Sequence, residues 1–427
     1  MNKNLVTAEP SAPISLKFPL GVNNRDREYA LPAGGLREAV NLDVTRDGGL
    51  RSRQGIRRVV VGDCHSLYTP THGRFLLGVV DNVLTRWGAE ETAVPLTSVN
   101  APVVYTTLNE QTYWTDGTQV GRVTELGELG YWGLSTPPEP QVSPAATGGL
   151  WAGTYQVAMT ARHPSGLESA AARTVSITVP AGGGIQVSTP AALGVSFELY
   201  RTGPEGGQEA LRSAQRVAPG TTVILGASTL GKSLESLHAD APIPGQALAT
   251  HKGRIWCASG SSVWITSAKS PHWVFPQYGY YSFESRVSML AATEDGVFVG
   301  TAHRTYYLQG DDPFKMTQRP VSTFGAAAGS AFEIPYDLFL GEGSFPSKQA
   351  AWWDTEGSLC IGKPGGIIVR PTHRAYSAGQ TFQGVLTYRE HDGLRQMISA
   401  LRAEPGPLAS RDVVIAERWP HGVVLGD

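Results

Sequence analysis

Cysteine is scarce. The 427 residues hold three, Cys64, Cys257 and Cys360, an odd number with no Cys-x-x-Cys pair. That usage argues against a disulfide framework or a zinc cage and predicts buried, inert thiols. Charge is scarce as well: charged residues make up 17 % of the chain, 35 basic against 37 acidic, for a net charge of -2. Neither sign dominates, so nothing suggests a general nucleic-acid or membrane-surface binder. Long apolar runs are missing too. No stretch reaches the ~18 residues of a membrane-spanning helix, and residues 1–20 lack the apolar run of ~7 or more residues that a secretory signal needs. The expectation is a protein made in a reducing cytoplasm.

Catalytic signatures are equally thin. The ten histidines never fall at metal-ligand spacing, and neither a Gly-x-Ser-x-Gly elbow nor a Walker loop occurs. The carboxylate pairs Glu294-Asp295 and Asp311-Asp312 could in principle serve glycoside hydrolysis. Adjacent residues in a strand point to opposite faces, however, and both pairs lie in turn-forming sequence. No catalytic, cofactor or metal residue is assigned, and an enzyme is not expected.

What the chain has is turns and short strands: 50 glycines and 29 prolines between apolar runs, the composition of an all-β protein with few helices. Residues 74–80 face 83–87 across Asp81-Asn82, and 103–108 face 111–115 across Asn109-Glu110, with turn residues that tolerate the positive φ of a tight hairpin. The same unit, strand, polar turn, strand, recurs near residues 259, 295, 356 and 392. With an inserted segment subtracted, the spacing is roughly 30 to 60 residues, which overlaps the repeat of propeller blades. The expected architecture is a β-propeller of about six blades, its parts at residues 61–134 and 246–402, with a pair of stacked jelly-roll domains as the alternative.

The interruption is residues 135–245. It opens on Ser135-Thr136-Pro137-Pro138-Glu139-Pro140 and closes on Ala241-Pro242-Ile243-Pro244-Gly245, stiff linkers of the kind that join domains. Between them, alternation over 153–161 and 170–179, with further apolar runs at 183–188, 195–201 and 221–225, predicts a β-sandwich. The segments Gly153-Thr154-Tyr155-Gln156-Val157, Ser165-Gly166-Leu167-Glu168-Ser169 and Phe197-Glu198-Leu199-Tyr200-Arg201-Thr202 resemble a fibronectin type III module, an immunoglobulin-like sandwich.

Residues 1–60 form an N-terminal arm. It carries Arg25, Arg27, Arg37, Arg46, Arg51 and Arg53 among turn residues, and arginine forks in an extended arm suit docking onto a neighbouring chain through carboxylates. Gly21-Val22-Asn23-Asn24-Arg25, Leu31-Pro32-Ala33-Gly34-Gly35-Leu36-Arg37-Glu38-Ala39-Val40-Asn41-Leu42-Asp43 and Gly49-Leu50-Arg51-Ser52-Arg53-Gln54-Gly55 resemble the opening of nozzle or hub proteins from the tails of short-tailed bacterial viruses. The resemblance covers roughly the first sixty residues. It implies a structural virion tail component, a hexameric ring subunit forming part of the DNA-ejection conduit. Its partners would be copies of itself, a portal or adaptor, tail fibres and, transiently, genomic DNA; its location would be the virion tail.

Arg25, Arg27, Arg37, Arg51 and Arg53 are thus interface candidates. So are Trp273, Phe275 and Tyr280, from an aromatic segment, 264–283, too broken by proline for a central strand. Those aromatics also leave room for a carbohydrate-binding propeller or a glycoside hydrolase acting at a host surface, although the Ser-x-Asp-x-Gly-x-x-Trp turn of sialidase propellers is missing. The last segment, 403–427, carries no assignment.

Overall fold

The computed structural model describes residues 17–45, 47–52, 60–88, 92–334, 347–391, 394–403 and 423–424. These residues are all-β: strands joined by turns, three single-turn 3-10 segments and no α-helix among the described residues. Arg53 and most of the C-terminal segment lie outside them.

Six antiparallel sheets follow one another along the chain, five of them four-stranded. Sheet 1 is Cys64–Tyr68, Leu76–Val80, Val83–Trp87 and Ala93–Ser98; sheet 2 is Val104–Leu108, Gln111–Thr115, Val120–Val123 and Leu129–Gly130. Sheet 3 runs from Ala247–His251 through Arg254–Ser259 and Ser262–Ile265 to Tyr280–Ser282. Sheet 4 holds Val287–Ala292, Gly296–Thr301, Thr305–Gln309 and Thr317–Ser322; sheet 5 holds Phe332–Ile334, Gln349–Trp353, Leu359–Lys363 and Ile367–Val369. Sheet 6 is the long hairpin Thr381–His391 with Leu394–Ala403, plus Val423–Val424. The hairpins of sheets 1 and 2 close on the expected residues: Asp81 and Asn82 have φ of 49° and 63°, Asn109 and Glu110 of 50° and 62°, the paired positive values of a type I′ turn.

The core lies between consecutive sheets. Leu77, Val79 and Leu84 of sheet 1 meet Trp114 and Val123 of sheet 2, and Tyr113 and Trp132 meet Ile255 of sheet 3. Trp256, Val263 and Ile265 cover Val287, Leu290 and Val299 of sheet 4. Phe298 and Tyr307 then face Trp352 and Cys360 of sheet 5, while Trp353 and Ile361 face Leu386 and Met397 of sheet 6. Glycine is required where a large ring lies flat on a strand: any side chain at Gly362 would collide with the rings of Phe298 and Trp352. Each fully buried Val, Leu or Phe in these layers contributes about 1.5–3 kcal/mol relative to exposure.

Between sheets 2 and 3 the chain builds a separate two-sheet sandwich. One sheet pairs Gln141–Ala145, Gly184–Ser188 and Thr222–Leu225; the other orders Val175–Val179, Gly153–Arg162, Ser196–Arg201 and Arg212–Val217. Tyr155, Val157, Met159, Ile185, Phe197 and Leu199 fill one core shared by both.

Two sequence expectations change. Cys64 is exposed, at the start of a first strand whose side chains are only partly covered, while Cys257 and Cys360 are buried as expected. In the arm, the alternation of Val40, Leu42 and Val44 predicts a half-buried strand; the strand is the three-residue Leu42–Val44, paired with Leu50–Ser52, and Val40 and Leu42 are exposed.

Candidate functional site

Three surfaces gather the polar and aromatic side chains that the packing leaves over. The first is the arm. Its Asn23-Asn24 pair forms a clasp onto the same chain: Asn24 Nδ2 donates to the Ser377 carbonyl at 2.8 Å, and Ser377 N–H donates back to Asn24 Oδ1 at 2.9 Å. Arg25 continues it, its Nε at 3.4 Å from the Tyr376 carbonyl and a terminal nitrogen at 3.4 Å from Ser358 Oγ. Asp43 pairs with Arg389 of sheet 6 at 3.3 Å. Arg27 donates to Tyr29 Oη at 2.8 Å, and Arg37 to the Asp26 carbonyl. Arg27, Arg37 and Arg51 are exposed, as are Tyr29, Leu42 and Leu50. The arm therefore spends Arg25 and Asp43 on its own body, while Arg27, Arg37 and Arg51 lie at exposed positions.

The second surface is the aromatic rim of sheet 3. Trp264 and Tyr280 are cross-strand partners with ring centres 5.1 Å apart. Phe275 stacks on Tyr278 at 5.5 Å, Tyr278 meets Phe314 edge-on at 5.3 Å, and the Arg254 guanidinium lies 4.6 Å from the Phe314 ring centre. Tyr278 and Tyr280 remain 51 % and 44 % exposed, so an incoming group can reach them. Trp273 belongs elsewhere. It is 7 % exposed, packs on Ala170 and Ala239, and donates its indole N–H to the Glu168 carbonyl at 3.0 Å. Its docking partner is the sandwich of the same chain, and a two-way backbone bridge between Asp240 and Val274 reinforces the contact. Burial, together with the Arg122 charge, pushes the adjacent His272 from 6.5 down to about 4.

Below that junction lies a buried carboxylate that the sequence did not single out. Glu168 is 6 % exposed and accepts from Tyr200 Oη at 2.6 Å, Thr160 Oγ1 at 2.8 Å and Lys232 Nζ at 3.1 Å. Burial alone would raise its pKa, yet the three donors outweigh that and hold the carboxyl below its ordinary value, as hydrogen bonds to the charged form do. A Glu in a turn reads as solvated; only Tyr200 and Thr160, on strands that alternate, carried any signal.

The third is a polar knot where first strands meet. Tyr68 Oη lies 2.9 Å from Thr107 Oγ1, and Thr106 Oγ1 lies 2.7 Å from Thr250 Oγ1. Lys348 Nζ reaches the Thr250 carbonyl at 3.4 Å and Glu333 at 2.8 Å. Sheets 1, 2, 3 and 5 are thereby linked through their first strands and the residue that precedes Gln349–Trp353. Burial pushes the Tyr68 phenol up to about 12, Thr107 opposing and the Glu333 charge adding.

The expected turn carboxylates stay structural. Asp312 caps its own turn through Phe314 N–H at 3.0 Å. Asp295 accepts from Tyr307 Oη, from Gln309 Nε2 at 2.9 Å and from Gly365 N–H at 2.9 Å, joining sheets 4 and 5. Among the described residues no three His, Cys, Asp or Glu side chains converge as a metal site would require.

No family model matches the chain, and no curated protein does. Solved structures with similar shape include BBS1N in complex with ARL6DN, at TM-score 0.35 and 9 % identity over 82 % of this chain and 93 % of that one. The N-terminal domain of Nup159 gives 0.29 and 10 % over 78 % and 72 %, and Kluyveromyces lactis Hsv2p 0.31 and 6 % over 79 % and 89 %. Likeness at this level fixes neither function nor partner for this chain.

Proposed function

We propose that the protein is a structural ring subunit of a virion tail, a nozzle or hub of the kind found in short-tailed bacterial viruses, with no catalysis of its own. The observation that carries this reading is the arm: its sequence resembles the opening of those proteins, and the exposure of Arg27, Arg37 and Arg51 is compatible with contact to a second copy. In the same proposal the six sheets close radially as propeller blades, with residues 135–245 as an inserted fibronectin type III-like sandwich. Inner strands that meet in a polar knot and outer strands that are mostly exposed support that arrangement. In that arrangement the Tyr68, Thr107, Thr250 and Lys348 knot would lie toward the centre of one subunit, and a passage for DNA would run between copies, not through one. The ring is hexameric in this reading, and it docks to a portal or adaptor and to tail fibres.

The experiment is light scattering and particle imaging of the purified protein beside a charge-reversed variant, Arg27→Glu with Arg37→Glu and Arg51→Glu, which leaves the Asn24 clasp intact. Wild type should form rings and the variant folded monomers; rings of equal size from both would remove the arm from assembly, and a wild type that is monomeric at every concentration would end the ring reading. A second reading, carbohydrate binding, is favoured by the exposed Tyr278 and Tyr280 rings beside Trp264, since aromatic faces stack on sugars. Glycan-array binding that Tyr280→Ala abolishes would support it, and silence across the array would remove it.

A further inference from the structure

One end of the sandwich holds an open cleft of about 630 Å³ that no part of the proposed assembly uses. Its polar wall is Arg162, His163 and Arg216; its apolar wall is Pro164, Leu193 and Pro219. Leu193 is 99 % exposed, an apolar side chain held in solvent on a loop tip. The volume lies within the ~300–1,000 Å³ of small-molecule sites.

Charge in the cleft is unbalanced by one. Lys232 sits 3.1 Å from Glu168 and neutralises it. Glu198 is met by two guanidiniums, Arg216 Nε at 3.0 Å and Arg162 Nη1 at 3.8 Å, while Arg162 is 3.9 Å from Glu168. At those distances Arg162 is an ion-pair neighbour without a close hydrogen bond to either carboxylate. Arg216 engages Glu198 through Nε and keeps both terminal nitrogens for something else; its side chain is half exposed. Two forks over one carboxylate leave room for one more anionic group, and the planar fork matches a carboxylate. A dianion such as phosphate would overshoot the single excess charge.

We propose that this cleft binds a monocarboxylate of sugar-acid size. Arg216 and Arg162 clamp the carboxylate, and Pro164, Leu193 and Pro219 cover the C–H face of the ring. This rests on the sandwich alone and is independent of the tail assignment.

The test is calorimetric titration of the full-length protein with glucuronate at low salt, with glucose, inorganic phosphate and a glutamate-rich peptide as comparison probes. Glucuronate should bind in the millimolar range and glucose about tenfold or more weaker, the usual scale for losing a charge-assisted fork. Arg216→Gln should weaken glucuronate about tenfold in a protein that a melting curve shows to be still folded at the titration temperature, and Arg216→Lys should fall between. Arg74→Gln, at an exposed arginine on sheet 1's side of the molecule, should change nothing. Equal binding of glucose and glucuronate, tighter binding of phosphate or of the peptide, or an Arg216→Gln protein that binds like wild type would overturn the proposal.

Discussion

The sandwich and the six sheets are built from similar strands, yet they hold their cores differently. The two sheets of the sandwich enclose a core that, among the described residues, is drawn from the sandwich itself. Sheets 2 to 5 each share one core with the sheet before and another with the sheet after, so none of these four owns a core. A strand-rich segment that closes on itself is a unit that can melt alone. A run of sheets that share their interiors melts together, because removing one exposes both neighbours.

The strongest way to break that contrast is at a shared layer. Trp352→Ala empties a fully buried site between sheets 4 and 5, and the loss of a buried Trp costs about 3–5 kcal/mol. Calorimetry should show the transition of the six sheets shifted down as a whole and the sandwich transition in place. If only sheets 4 and 5 melt early, the sheets are not one unit. The converse is Leu199→Ala, fully buried in the sandwich, costing about 2–5 kcal/mol. There the sandwich transition alone should move, and a matching shift of the sheets would merge the two regions.

Acid should separate them next. His251, buried at the end of the first strand of sheet 3 with its ring edge-on to Trp256, is pushed by burial and by the Lys252 and Lys348 charges from 6.5 to about 4, with a hydrogen bond to the Thr293 backbone and the Asp295 charge opposing. Between those values the unfolded chain carries the extra proton, so stability of the sheets falls as pH drops from about 6.5 and the loss is complete near 4. Glu168 in the sandwich is lowered from 4.5, so its contribution is whole above 4.5 and lost only as pH falls through the folded value. Melting curves at pH 7, 5.5 and 4 should therefore show the sheets weakening first, and His251→Gln should flatten that early decline. A sandwich that weakens between 6.5 and 5 would reverse the assignment.

The smallest effect concerns the link between the regions. Trp273→Phe keeps the ring in place and removes the indole hydrogen bond to Glu168, a loss of about 1 kcal/mol. The gap between the two transitions should widen, with neither core disturbed; an unchanged gap would show that the Asp240–Val274 bridge suffices.

Much of this was legible in the residues, and the part that was legible is consistent. The middle strands of each sheet are buried on both sides of a tight turn, so Leu76–Val80 with Val83–Trp87, or Gly296–Thr301 with Thr305–Gln309, announce themselves by apolar content and by Asp, Asn or Gly between them. Flanking strands do not. Ala93–Ser98, Thr317–Ser322 and Ile367–Val369 are largely exposed and carry polar residues or proline, so no periodicity marks them, and Arg212–Val217 in the sandwich escaped for the same reason. The arm's arginines were visible as a group, but which face the body was not, since the partners of Arg25 and Asn24 lie on a different part of the chain. Trp273 illustrates the limit: its aromatic character pointed to docking, and only the fold names the surface it docks on. The cleft at Arg162 and Arg216 gave no linear signal, being assembled from three strands and three loops.

The Asn24 clasp carries a further consequence. Its two halves are separated by 353 positions, so on a translating ribosome the first half is made long before the second. At synthesis rates of ~5–20 residues per second, roughly 20 to 70 seconds pass before the clasp can form. It is thus a finishing step of biogenesis, and a fault there should hasten opening of the mature protein while leaving the earlier steps of its maturation at their normal pace.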